Sequence, residues 1–233
     1  MSYNIEPIGI IHSPYKEKFA VPRQPGLVPS ARSEIVLQGA ANSMEAVRGL
    51  EQFSHLWLLF LFDQNLEAGW RPTVRPPRLG GNERIGVFAS RATFRPNGIG
   101  MSAVELKGVR HENSNVIIEL GGVDLVNGTP IVDIKPYIPY SDSLSQAQGG
   151  FASSAPDLMP VCFSEIALNQ LPSKNKAYYQ AVISEVLSQD PRPAYKKGKP
   201  DLKPYAVHLF DFNVHFSVTE QQITVNQIEK VNQ

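Results

Sequence analysis

The chain has 233 residues, 42% of them hydrophobic and 9% aromatic, enough to give one large or two modest domains a buried core. Lysine and arginine (22) balance aspartate and glutamate (22), so no bulk field draws nucleic acid and any such contact must come from local clusters. The single cysteine excludes an internal disulfide, and the five histidines include no pair spaced as two ligands on one helical face, so no metal site is expected.

The N-terminus reads as one without a leader, since no basic stretch precedes an apolar core and a small-residue cleavage site. From there to Tyr137 short β-type runs alternate with turn residues: Ile8–Ile11, Glu34–Leu37, Leu56–Phe62, Ile85–Ser90, Ala103–Val109, Val116–Val123 and Ile131–Ile134. Such spacing predicts an all-β barrel or sandwich. Leu56–Phe62 is continuously apolar, as a strand covered on both faces would be, whereas Val104 and Leu106 alternate with Glu105 and Lys107 as in a half-buried strand. The surrounding apolar run His55–Phe62 is far short of the roughly twenty residues that span a bilayer, so a cytoplasmic protein without membrane contact is expected. Ala46, Val47, Leu50 and Phe53 recur at helical spacing and predict a short helix over Met44–Phe53.

Residues 144–159 read as a linker or mobile loop, the core of a Ser/Ala/Gln/Gly-rich stretch from Ser141 to Pro160, which separates residues 1–143 from residues 160–233. Beyond it, Cys162 sits in an apolar setting as a buried small hydrophobe. Lys174–Ser188 carries two adjacent apolar stripes and reads as a helix, with Ser173 capping its start and Pro191 stopping its end. Two strand-like runs follow, Val207–Val218 and Ile223–Ile228, with His208 and His215 on a sheet face. This is a small α+β unit.

Gly98-Ile-Gly100-Met-Ser-Ala103 matches the dinucleotide-binding fingerprint, but the residues after it alternate with period two and predict a strand, not the helix whose N-terminus would face a pyrophosphate. The glycines are therefore read as turn formers. No Gly-x-Ser-x-Gly elbow and no phosphate loop of the Walker type occur, which disfavours hydrolases of those classes.

Function concentrates between Arg75 and Asp142. Two loops, Arg75-Pro-Pro-Arg-Leu-Gly-Gly-Asn82 and Arg91-Ala-Thr-Phe-Arg-Pro-Asn-Gly98, join turn residues to arginines, which suit anionic or planar ligands. Arg75 and Arg78, with Arg192, Lys196, Lys197 and Lys199 in the loop from Asp190 to Pro200, form the candidate RNA-phosphate patches; Tyr195 and Tyr205 flank the second patch and could stack on bases. Arg91 and Arg95 either anchor loop backbone or meet a cofactor carboxylate or an RNA phosphate, and Phe94 either packs as an anchor or stacks on adenine. Asn127-Gly128 is a hairpin signal that could also present Asp124 and neighbouring backbone to a ligand.

Ile8-Gly-Ile-Ile-His-Ser-Pro14, Gln24-Pro-Gly26, Gly49-Leu-Glu-Gln-Phe-Ser-His55, Arg75-Pro-Pro-Arg78, Phe94-Arg-Pro-Asn97 and Asp133-Ile-Lys-Pro-Tyr137, in that order, resemble the TrmO family, also called YaeB or TsaA-like. Asp190-Pro-Arg-Pro-Ala-Tyr195 resembles the C-terminal domain of its bacterial members. The resemblance implies an N-terminal β-barrel and a small α+β C-terminal domain. It also implies a homodimer that transfers a methyl group from S-adenosylmethionine to N6 of threonylcarbamoyl-adenosine 37, in the tRNA anticodon stem-loop.

On that reading Gln24, Pro25, Gly26, Asp63, Gln64, Arg91, Met101, Gly122, Val123, Asp124 and Leu125 hold the cofactor. Arg75, Arg78, Arg95, Arg192, Lys196, Lys197 and Lys199 hold the tRNA; Asp133 and Asp124 are the acidic candidates to accept the proton of a carbamoylated nitrogen that is a poor nucleophile, and Lys135 and Tyr137 orient or polarise its carbamoyl group. The competing expectation is a non-catalytic barrel that senses S-adenosylmethionine or binds RNA.

Overall fold

The computed structural model describes residues 3–193, 196–197, 199 and 201–231. The first part contains β1 (Gly9–His12), β2 (Ser33–Leu37), β3 (His55–Leu61), a single helical turn α1 (Asp63–Leu66), a ribbon of β4 (Thr73–Val74) and β5 (Ile85–Gly86), then β6 (Ile99–Glu112), β7 (Asn115–Leu120) and β8 (Pro130–Pro136). β1 pairs with both β2 and β8, which closes the order β1-β2-β7-β6-β3-β8 into an antiparallel barrel. The period-two pattern explains what fills it: along β3, Leu56, Leu58 and Phe60 are buried while Trp57, Leu59 and Leu61 on the alternate face stay half-exposed. β3 is thus covered fully on one face only. Ile11, Ile35, Val104, Ile118 and Ile131 complete the interior, each such side chain contributing about 1.5–3 kcal/mol of burial.

Several other expectations change. Met44–Phe53 forms turns and one 3-10 turn, because Gly49 takes the left-handed conformation (φ 84°) and interrupts the helical run. Ile85–Ser90 yields only the short β5 followed by a 3-10 turn. Asn127-Gly128 does make a turn, but β7 and β8 are not neighbours in the sheet; the Asn127 amide accepts from Ser13 N instead and pins the loop to β1's exit.

After a single turn, α2 (Pro139–Asp142), and a largely exposed stretch, the second part is built from β9 (Val161–Phe163), α3 (Glu165–Gln170), α4 (Lys176–Ser188), β10 (Asp201–Leu209), β11 (Phe212–Val218) and β12 (Ile223–Lys230). Its sheet has the order β10-β11-β12-β9, with β9 parallel to β12. The run Val207–Val218 is therefore two strands joined by a tight turn, Phe210 adopting a positive φ of 55°. α3 was not anticipated, although Ser164 caps it by accepting from Ala167 N at 3.0 Å. Asn175, not Ser173, stands at the N-cap of α4. Cys162 is exposed, since it lies on an edge strand.

One apolar cluster runs through both parts. Polar contacts lock the seam: Ser30 donates from N and Oγ to the Glu185 carboxylate on α4 at 2.9 and 2.6 Å, Phe210 N donates to Pro14 O at 2.7 Å, and Tyr15 bridges to Leu209.

Candidate functional site

β3 ends and β6 begins at one mouth of the barrel, and there the strands make room for a cavity. A Cβ on Gly100 would lie 2.3 Å from the Phe60 ring and 2.9 Å from that of Phe62. Glycine at this position lets the two rings meet edge to face, 5.2 Å apart at 82°, as an apolar wall. The glycine of the rejected fingerprint thus serves ring packing within a strand. The cavity has a volume of about 560 Å³, which suits a small-molecule cofactor. Its other walls come from the loop around Gln24, the turn of α1, the Ser90–Arg95 loop and the segment after β7.

Those walls are held by close backbone approach. A Cβ on Gly122 would meet the Val28 carbonyl at 2.3 Å, and Gly26 N, in a left-handed turn (φ 76°), donates to Gly122 O at 2.9 Å. The Gln24-Pro25-Gly26 loop is thereby fastened to the segment carrying Asp124. Lys18 spans to α1 by donating to Asn65 Oδ1 at 2.8 Å.

Asp124 is the most telling group. Burial raises its pKa above the ordinary carboxylate value, partly offset by the Ser102 hydroxyl and the Arg91 charge. Its Oδ1 is buried without a hydrogen-bond partner among the described residues. A buried acceptor left unmatched at a cavity wall calls for a donor from outside the chain, such as a hydroxyl or amino group of a nucleoside. At the rim, Arg91 is exposed and donates to Gln24 Oε1, leaving further N–H groups for an anion. Arg95 donates to Val87 O at 3.3 Å and Ser90 O at 2.8 Å while lining the same cavity, so it anchors loop backbone and faces the ligand space together.

Of the residues expected to hold a cofactor, Gln24, Asp63, Gln64, Arg91, Met101, Asp124 and Leu125 line the cavity. Pro25, Gly26, Gly122 and Val123 do not, and shape the wall from behind. Asp133, Lys135 and Tyr137 are likewise not among the lining residues. Asp133 pairs in register with the cavity residue Leu59, accepts from Ile134 N at 2.9 Å and sits 3.2 Å from Lys135 Nζ; Tyr137 packs against Trp57 with ring centroids 5.5 Å apart. The Arg71 guanidinium lies over the Phe94 ring, 4.8 Å from the ring centroid, and Phe94 is not among the residues lining this cavity.

The C-terminal basic loop is largely self-engaged. Arg192 is 1% exposed, holds both Asp190 oxygens at 2.8 and 2.9 Å and donates to Lys199 O at 3.0 Å, so it staples the loop and cannot reach a phosphate. Lys196 pairs with Asp201 at 2.5 Å, and Tyr205 donates to the same carboxylate at 2.7 Å with its ring stacked on Phe216. Lys197 donates to Gln189 O at 2.9 Å. Lys199, Arg75 and Arg78 remain exposed, and Tyr195 lies outside the described residues. Lys18, Arg23 and Ser102 also line the cavity and were not anticipated. For the first two, the signal was their closeness in sequence to Gln24; for Ser102, it was an inward strand position.

The family model described as the tRNA-methyltransferase O N-terminal domain matches residues 10–143, and the TrmO C-terminal domain matches residues 156–231. The chain is 58% identical over 231 residues to a tRNA (adenine(37)-N6)-methyltransferase of Escherichia coli K12, covering 98% of each. It is 48% identical over 219 residues to a putative S-adenosylmethionine-dependent methyltransferase, RcsF, of Pseudomonas aeruginosa, covering 93% of each. A crystal structure of TrmO from P. aeruginosa superimposes with a TM-score of 0.80 at 39% identity, covering 98% of this chain and 99% of that one. The chain belongs to the tRNA-methyltransferase O family.

Proposed function

We propose that this chain transfers a methyl group from S-adenosylmethionine to N6 of adenine 37 in tRNA and, more narrowly, that its substrate is threonylcarbamoyl-adenosine, giving N6-methyl-threonylcarbamoyl-adenosine. The observation that carries the reading is the buried Asp124 Oδ1, without a hydrogen-bond partner among the described residues, at the wall of a cavity whose rim is cationic and whose lining includes the Phe60 and Phe62 rings. The residues fit the cofactor by class. Asp124 would accept from hydroxyl or amino groups, Arg91 with Gln24 would meet the carboxylate, and Phe60 and Phe62 would cover apolar surface and exclude water.

When bound, the cofactor supplies a methyl group already activated on a sulfonium, so no metal and no covalent nucleophile is required of the chain. What remains for the chain is alignment and a proton. As N6 forms its bond to carbon, the carbon–sulfur bond breaks and the N6 proton must pass to an acceptor. We assign that role to Asp133, with Lys135 and Tyr137 orienting the carbamoyl group, one strand away from the cavity residue Leu59. We assign residues 1–143 to cofactor binding, residues 160–233 to tRNA contact, and the chain to the cytoplasm; no described helix is long and apolar enough to cross a membrane. Trp57 on the outward face of β3 adjoins the cavity residues Leu59, Leu61 and the 55%-exposed Met101, an apolar surface that supports a homodimer with the cavity at its edge.

The test is incubation of the purified chain with S-adenosylmethionine and tRNA from cells lacking this activity, followed by nucleoside mass spectrometry. A mass gain of one methyl on threonylcarbamoyl-adenosine is expected, and an unchanged nucleoside refutes the reading. One observation favours a non-catalytic barrel that senses S-adenosylmethionine: Asp133, Lys135 and Tyr137 lie off the cavity wall. That alternative predicts saturable cofactor binding, unaltered by Asp133→Asn, with no transfer.

A further inference from the structure

Three cations from separate loops come together beside the cavity, near the seam between the two parts of the chain. Arg23 lines the cavity itself. Arg78, exposed in the loop after β4, is the like charge that acts on it. Lys197 comes from the C-terminal loop and feels the Arg23 charge in turn. Hydrogen bonds fix that approach: Lys197 Nζ donates to Gln189 O at 2.9 Å, and Gln189 Nε2 donates to Leu27 O at 3.3 Å, four residues beyond Arg23. The Lys197 ammonium has further donors to offer.

Among the described residues no carboxylate forms an ion pair with any of the three. The one carboxylate that acts on both Arg23 and Lys197 is Asp190, and both its oxygens are already taken by Arg192. Neither the Arg23 nor the Arg78 guanidinium has an acid partner among the described residues. Partial desolvation and like charge, from Arg78 on the solvent-exposed Arg23 and from Arg23 on Lys197, hold both pKa values below their ordinary values, a cost to the free protein that a bound anion would reverse.

We propose that Arg23, Arg78 and Lys197 form one binding site for the RNA backbone, seating a phosphate next to the nucleotide that enters the cavity. The inference rests on the tRNA reading above and deepens it, because the site joins the cofactor loop, the Arg75–Asn82 loop and the C-terminal loop of a single chain. A phosphate held there fixes the register of the strand relative to the methyl donor without reading its sequence.

The test uses the full chain and a fluorescent anticodon stem-loop RNA, with affinity measured across a salt series. Arg78→Ala, and Lys197→Gln, which keeps a donor for the Gln189 carbonyl, should each weaken binding about tenfold near 0.1 M salt. Each should flatten the slope of log affinity against log salt by about 0.7, as for one single-strand phosphate contact. The double variant should lose less than the product of the two, since both cations grip one group. Melting temperature should hold or rise as repulsion is relieved, and cofactor affinity should stay unchanged. Lys174→Ala, an exposed lysine of the second part, provides the equal-charge control.

Single variants that match this control in affinity and salt slope overturn the proposal, as does a loss confined to cofactor binding, which would make the cluster a carboxylate site. Wild-type chain that methylates tRNA alongside either result leaves the functional reading intact. Wild-type chain that shows the expected salt behaviour but transfers no methyl group removes the functional reading and leaves the phosphate site standing.

Discussion

The chain has two arginine- and lysine-rich regions that look alike in sequence and differ in what their charges do. In the loops from Arg75 to Arg95, Arg75, Arg78 and Arg91 stay exposed, with little nearby acid to absorb them. In the loop from Asp190 onward, two aspartates take up two of the four cations: Asp190 takes Arg192, and Asp201 takes Lys196. A surplus of positive charge therefore says little until the geometry of each carboxylate is known. A buried, bidentate arginine is a structural strut, and an exposed one is available to a ligand.

That contrast can be broken most directly at Arg192. Arg192→Ala leaves Asp190 buried without its partner and should destabilise the chain by about 3–5 kcal/mol in urea unfolding. A variant that keeps its stability and loses only RNA affinity would erase the distinction between the two regions.

Asp124→Asn sharpens it from the other side, through a buried carboxyl kept for a ligand. Loss of the carboxyl acceptor should weaken S-adenosylmethionine binding by about 1.5–3 kcal/mol in calorimetry. The apo chain should respond oppositely. A carboxyl whose folded pKa is raised contributes stability below its ordinary value of 3.8 and loses it as pH rises through the folded value. At pH 7 the asparagine variant should thus melt higher than wild type, by roughly 2 °C or more, and the gap should close as pH falls toward 4.

Smaller effects complete the series. Arg91→Ala should cost about 1 kcal/mol of cofactor affinity with an unchanged melting temperature, since its side chain is exposed. Lys199→Ala, exposed at the edge of the self-engaged loop, should lower RNA affinity only about twofold, read by anisotropy at moderate salt.

Much of the barrel was legible because period-two alternation is local: Val104 against Glu105 is visible without knowing what lies across the sheet. The gathering of the polar loops was legible in part, since Asp124 with Arg91 does meet Gln24 at one cavity. What escaped was non-local. Arg23 looked like a loop residue until Arg78 and Lys197 arrived from about 55 and 174 positions further along the chain. Asp133 carries a family pattern, but which face of the barrel it occupies depends on its register against Leu59, which no short window of sequence contains. The helix expected over Met44–Phe53 failed for the converse reason, a local glycine overriding an apolar spacing.

The order of the second sheet has a consequence for how the protein behaves at high concentration. Unlike the closed barrel, that sheet ends in two free strands, β10 and β9, whose backbone groups are a template for pairing with another copy. Both ends are blunted. β9 is only three residues long, and β10 exposes Lys203 and Pro204, a charge and a residue with no N–H to offer, while its far end is occupied by Tyr15. Runaway strand addition is therefore discouraged along this sheet.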